Sequence, residues 1–288
     1  MWKLQKPKLS DAKNDIIVVV SHCNNLDESD KRKMSKLYED YDVGNGEVSA
    51  LQLQPLEGKK EIIRRQYVKT SGKLQNKDED NHLVYIRKEL MRNVDKCPYC
   101  SINAPQQLDH FMDKALYGQL AVCRLNLVPL CGICNHKKGE ISYREFTHPY
   151  YQKFPPGPFL KADCRIVKDR VMVKFSIDSR IITDAVLRNR LEKQMQNLDL
   201  STRLGKAVNE FLSQLCFSIL VDKQEEIPIY LKIQLKNYER LYAMNDWRCA
   251  TIRGLINCPQ FNIDVINNYK KIKAPINQYC VKLIFNRL

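Results

Sequence analysis

The sequence predicts a mixed α+β protein, a mainly helical body that holds a small cysteine-rich unit in its middle. Three observations carry that expectation. Apolar residues recur at helical spacing over most of the 288 residues, two Cys-x-x-C pairs fall between residues 97 and 134, and one stretch after them alternates apolar and polar. The boundaries follow as an N-terminal mostly helical region 1–95, a cysteine-rich core 96–150, and a basic, mainly helical C-terminal region 151–288.

Taken in order, "DIIVVV" (15–20) is β-branched and suits either a buried strand or the start of a helix. In "ESDKRKMSKLYEDYDV", Met34, Leu37, Tyr38 and Tyr41 keep helical spacing. Gly and Pro interrupt that pattern in 44–60, and 70–82 is polar enough for an exposed loop. "HLVYIRKELMRNV" puts Leu83, Ile86, Leu90 and Val94 on one helical face. After the cysteines, "HPYYQKFPPGPFL" reads as a connection, and "RIVKDRVMVKFSI" as a hairpin or a single bent strand. Ile182, Ala185, Leu191 and Met195 form one later apolar stripe; Val208, Phe211, Leu212, Leu215 and Ile219 form another.

Composition narrows the function. Lys and Arg number 47 against 33 Asp and Glu, a net charge of +14 that favours a polyanionic partner. The excess is uneven: 18 basic and 16 acidic residues in 1–95, 6 and 4 in 96–150, 23 and 13 in 151–288. No run of 18 apolar residues exists, and the N-terminus lacks the apolar core and cleavage site of a signal peptide, so the expectation is a cytoplasmic protein without a membrane partner. Eleven cysteines, an odd number with four in Cys-x-x-C pairs, favour metal over disulfides. Cys23, Cys123, Cys164, Cys216, Cys249, Cys258 and Cys280 are scattered and read as small buried hydrophobes.

Cys97, Cys100, Cys131 and Cys134 have the spacing for one closed four-thiolate zinc site. The 30 residues between Cys100 and Cys131 would be held at both ends by such an ion, whose apparent contribution to folding is about 10–16 kcal/mol. With the thiolates spent on zinc, Asp109, His110, Asn126, Asn135 and His136 remain for another task. Oxygen donors suit Mg²⁺ or Mn²⁺, and an imidazole beside such an ion can take a proton from water, the equipment for phosphodiester hydrolysis.

The run "LDH" with "NLVPLC" and "CNHKKG" resembles the HNH endonucleases, the ββα-metal or His-Me finger class, in the form buttressed by a four-cysteine zinc. The likeness covers residues 96–150, and the order of motifs between two Cys-x-x-C pairs is far more specific than any one of them. It implies a hairpin carrying Asp109 and His110, a loop carrying Asn126, and a helix that begins at the second cysteine pair. The resemblance makes His110 the general base, Asp109 and Asn135 ligands of a catalytic Mg²⁺ or Mn²⁺, and Asn126 the brace of the base-bearing loop. His136 and His148 are further candidates, and Lys137 and Lys138 are candidate nucleic-acid contacts, with a solvated helix end as the plain alternative. In "DHFMD", Asp113 stands where relatives often have proline; an ordinary surface charge explains it as well as an added ligand. The chain is also similar to nuclease subunits of prokaryotic anti-phage systems, Septu-type and retron-linked, which implies an ATPase partner. The expected activity is DNA cleavage, by nicking or double-strand cutting; an RNA (transfer RNA) endonuclease with the same site and a non-catalytic zinc-stabilised nucleic-acid-binding module are the alternatives.

Overall fold

The computed structural model describes residues 3–70 and 81–271. The polar stretch expected at 70–82 falls almost wholly outside them, as does Cys280. Among the described residues the protein is mixed α+β and mostly helical, the class that the spacing predicts, with two small two-stranded sheets. It divides into two compact units, Met1–Phe159 with Ile177–Leu200, and Leu160–Ser176 with Ser201–Leu288.

In the first unit, α1 (Leu9–Ser21) settles the ambiguity of "DIIVVV" in favour of helix. Ala12, Asp15, Ile16 and Val19 are buried at steps of three and four while Ile17 faces outward, so burial of one face overrides the β-branched preference of the run. Asp15 can be buried because Arg124 meets it with two hydrogen bonds of 2.6 and 2.7 Å and the Tyr85 hydroxyl donates a third at 2.7 Å. Burial still raises the Asp15 carboxyl above its ordinary value, and the Arg124 guanidinium works against that rise. Helix α2 (Glu28–Val43) starts from a reciprocal cap between Asp27 and Asp30 and buries Met34, Leu37, Tyr38 and Tyr41, the expected face.

The Gly-Pro interruption that follows hides more order than it advertises. Ser49 and Gln52 form a capping box that starts α3 (Ala50–Leu53), a 3-10 segment follows over Gln54–Lys59, and α4 (Lys60–Gln66) runs into a 3-10 turn, Tyr67–Thr70. Gly46, at φ +91°, lies where a Cβ would run into the His148 ring. Helix α5 (Val84–Met91) buries Ile86 and Leu90, with Leu83 just before it.

Strand β1 (Gln107–His110) pairs antiparallel with β2 (Leu127–Leu130), Asp109 opposite Val128 and His110 opposite Leu127. Helix α6 (Gly132–Lys138) follows at once. Later in the chain, α7 (Ala185–Asn197) returns to this unit and buries Leu187, Leu191, Gln194 and Met195. Ala185 is exposed, correcting the expected stripe: it is the first residue after the Asp184 cap, and Leu187 takes the inward place beside Phe159, Ile182 and Leu191. Gln194 Oε1 accepts from the Thr147 amide at 3.0 Å and its hydroxyl at 2.9 Å, tying α7 to the segment after α6.

The second unit holds the hairpin of β3 (Leu160–Val167) and β4 (Arg170–Ile177) and helices α8 (Leu200–Ser218), α9 (Glu226–Tyr242), α10 (Trp247–Ile256) and α11 (Ile263–Lys271). All five residues of the predicted α8 stripe are buried. Phe211 meets the Tyr238 and Trp247 rings edge-on, at 5.4 and 5.6 Å between centroids. Gly254 lets α10 lie on β3: a Cβ there would run into the Ala162 carbonyl and Cys164 Sγ. Among the described residues no helix is long and apolar enough to cross a membrane.

Candidate functional site

The four predicted cysteines converge. Their sulfurs all lie within 4.8 Å of one another, and all four residues are buried. A tetrahedron with zinc–sulfur bonds near 2.3 Å has edges of about 3.8 Å. Cys100 Sγ and Cys131 Sγ stand 3.8 Å apart, so the cluster could hold a structural zinc ion. Local geometry explains the convergence. The Cys97–Cys100 turn closes with Ser101 N–H donating to Cys97 O at 2.9 Å, Ser101 taking a positive φ of 56°. On the other side Cys131 is the cap of α6, its sulfur accepting from Cys134 N–H at 3.5 Å. Hydrogen bonds from Cys100, Cys134 and Cys97 push the Cys131 thiol down, while hydrogen bonding with Cys100 pushes the Cys97 and Cys134 thiols up.

The cluster fixes the start of α6, and α6 lies against β1. Gln107 and Asp109 alternate to one side of the strand, while Asn135 and Lys138 share one side of the helix. Asn135 Nδ2 donates to Gln107 Oε1 at 2.6 Å. Lys138 Nζ stands 2.9 Å from Asp109 Oδ2 and donates to the His110 carbonyl at 2.8 Å. Lys138 is thus 1% exposed, and the expectation that it meets nucleic acid is corrected: the buried carboxylate of Asp109 recruits its ammonium. Burial raises the Asp109 carboxyl to about 6, with Lys138 opposing. Lys137 and His136, on the other faces of the helix, are exposed.

His110 Nε2 pairs with the Ala121 carbonyl at 2.9 Å. A carbonyl only accepts, so Nε2 carries the hydrogen and Nδ1 keeps its lone pair. Burial pushes the His110 ring down to about 3, leaving it neutral at pH 7. The Tyr67 ring stands edge-on to it at 4.3 Å, and the Tyr67 hydroxyl donates to Leu108 O at 3.0 Å, clamping the strand that bears the histidine.

Asn126, fully buried, braces the loop between the strands. Its Oδ1 accepts from Met112 N–H at 2.8 Å, and its Nδ2 donates to the carbonyls of Met112 and Leu120 at 3.1 and 3.3 Å. His148 belongs to the same chain of bonds. Tyr150 N–H donates to His148 Nδ1 at 3.2 Å, so the hydrogen sits on Nε2, 3.1 Å from the Tyr41 hydroxyl, which in turn donates to Asn126 Oδ1 at 3.0 Å. Asp113 is a turn cap, its Oδ1 accepting from the amides of Ala115 and Leu116 at 2.7 and 3.4 Å. The structure therefore places Asp109, His110 and Lys138 together at the end of β1, joins Asn135 to Gln107 at the start of that strand, and sets Asn126 in the loop that follows, linked to His148 through Tyr41. Tyr41, Tyr67 and Gln107 also belong here and escape sequence reasoning. The two tyrosines reach the site from helical segments tens of residues upstream, and no local spacing announces them.

The chain is similar to Protein ea31 of Escherichia phage lambda, 35% identical over 75 residues, which is 24% of this chain and 25% of that protein. It thus spans about a quarter of the length of this curated relative. No protein-family model matches the chain. No solved structure matches it either.

Proposed function

We propose that this chain is an HNH-type endonuclease that hydrolyses phosphodiester bonds of DNA. One observation carries the reading: the Asp109-His110 pair ends a strand that is hydrogen-bonded to the next strand and overlaid by the helix rising from the second cysteine pair. That order, strand, strand and zinc-anchored helix, is the one the motif resemblance implies. A hard divalent cation fits the donors. Asn135 spends Nδ2 on Gln107, which leaves its oxygen as the ligand end, and Asp109 supplies a carboxylate whose charge Lys138 now balances. Asp109 and Asn135 would hold Mg²⁺ or Mn²⁺, which when bound would polarise a phosphoryl oxygen.

The side chains themselves supply proton transfer and order. His110 offers Nδ1 to an attacking water because Ala121 O holds the hydrogen on Nε2. Asn126 keeps the loop from Met112 to Leu120 closed behind it, and Tyr67 fixes the strand on its other side. One observation favours the alternative of a non-catalytic zinc-supported binding module, namely that Asp109 already has a cationic partner.

Purified protein incubated with supercoiled plasmid and with transfer RNA in Mg²⁺ or Mn²⁺ separates these readings. Plasmid nicking that falls by two orders of magnitude or more in His110→Ala, with zinc content unchanged, is the expected result. Cutting that survives His110→Ala removes the assigned base. Cleavage of transfer RNA alone moves the site to RNA, and binding without cutting, with or without an ATPase partner present, leaves the module.

A further inference from the structure

The net charge is concentrated in the second unit. Its residues carry 18 Lys and Arg against 9 Asp and Glu, +9 of the whole +14. Within it the β3–β4 hairpin turns its more buried positions to one face. Leu160, Ala162, Val171 and Phe175 are buried, with α10 lying on β3 at Gly254. The opposite face exposes Lys161, Arg165, Val167, Arg170, Met172 and Lys174, and Lys168 and Asp169 are both exposed at the turn. The Asp163 carboxylate is engaged by Lys161 at 2.9 Å, and Arg170 lies over the Tyr269 ring at 5.5 Å. Between these cations Val167 and Met172 are 51% and 59% exposed, a small apolar ridge on a cationic ribbon.

The turn gives the ribbon a defined shape. Lys168 and Asp169 both have positive φ, 48° and 58°, the geometry of a two-residue type I′ turn whose twist matches that of the flanking strands. We propose that the outer face of the β3–β4 hairpin is a docking surface for duplex DNA, entering the major groove of the B-form helix. Two strands about 4.8 Å apart fit a groove about 12 Å wide and 8.5 Å deep. Lysine and arginine at the margins reach phosphates, and the apolar ridge suits the methyl groups of thymine. The major groove of A-form RNA is deep and narrow and does not admit such a ribbon. This deepens the nuclease reading by naming duplex DNA as the partner, and it stands unchanged if the chain binds without cutting.

The test uses the full zinc-loaded chain carrying His110→Ala, without added divalent cations, so that binding is read apart from cleavage. Fluorescence anisotropy on labelled duplexes of roughly 30 base pairs, DNA and RNA of one sequence, is followed between 50 and 200 mM salt. Duplex DNA is expected to bind about tenfold tighter than duplex RNA. Arg165→Glu, Lys168→Glu and Lys174→Glu together lower the DNA affinity by about tenfold or more and flatten the salt slope by about three. Lys88→Glu, Arg92→Glu and Lys193→Glu in the first unit make the same change in net charge and are expected to cost less than about threefold. The single Lys174→Glu, at an exposed strand position, repeats the measurement at about threefold should the triple variant fold poorly. Methyl green, a major-groove ligand, displaces the protein and the minor-groove ligand netropsin does not. Equal losses in both triple variants, equal binding of the two duplexes, displacement by netropsin alone, or no binding would each overturn the proposal. Plasmid cleavage by the His110 protein reports separately on the nuclease.

Discussion

Lys138 shows most directly how one buried charge constrains its neighbours. Its ammonium faces the Asp109 carboxylate at 2.9 Å with both groups almost fully enclosed, so removing one partner leaves the other charged and unsolvated. Lys138→Met is expected to cost about 3–5 kcal/mol in urea unfolding, and pairing it with Asp109→Asn should recover most of that loss. A double variant no more stable than the single one would show that the pair contributes little. The sequence hides this residue for a physical reason: a Lys-Lys-Gly at a helix end looks solvated, and only the carboxylate 29 residues earlier draws the second lysine inward. His136 and Lys137, its neighbours, do face outward, so the expectation of an exposed helix end holds for them.

At the scale of elements, the cysteines anchor what their short segments cannot. Helix α6 has seven residues, too few to persist alone, and starts at Cys131. Cys97→Ser is expected to abolish zinc binding and to unfold or aggregate the protein, whereas His110→Ala keeps the metal; metal analysis and circular dichroism read both outcomes. A folded Cys97→Ser protein would sink the zinc assignment. Periodicity makes α2, α5 and the α8 stripe legible, because each buries one face at steps of three and four. It fails at "DIIVVV", where every position after Asp15 is apolar and partner helices choose the face, and at 44–60, where the Ser49-Gln52 box is masked by flanking Gly and Pro. The β3–β4 alternation was readable as strand, but choosing a hairpin over a bent strand needed the two positive φ values at Lys168 and Asp169. The cysteine cluster was the most legible feature, since metal geometry restricts spacing more tightly than packing does.

For the molecule as a whole, buried histidine links folding to acidity. Burial holds the His148 ring well below its ordinary value of 6.5, because Phe111, Tyr41, Tyr150 and Tyr151 enclose it. The unfolded chain therefore takes up the proton first as pH falls, so this contribution is complete above pH 6.5 and declines below it. Comparison of denaturant unfolding from pH 7 to 4.5 should show a shallower acid limb in His148→Gln than in the unaltered protein. Parallel limbs would mean that the ring finds its proton without disturbing the fold.

Asn126 is the junction where that pH sensitivity meets the candidate site. Its oxygen accepts from Tyr41, which His148 supports, and from the Met112 amide, and its nitrogen donates to the carbonyls of Met112 and Leu120. Every donor and acceptor of its amide group is spoken for, so the side chain behaves like a rivet with no play. A disturbance at the histidine would travel through it to the very loop whose Ala121 oxygen steers the imidazole of His110.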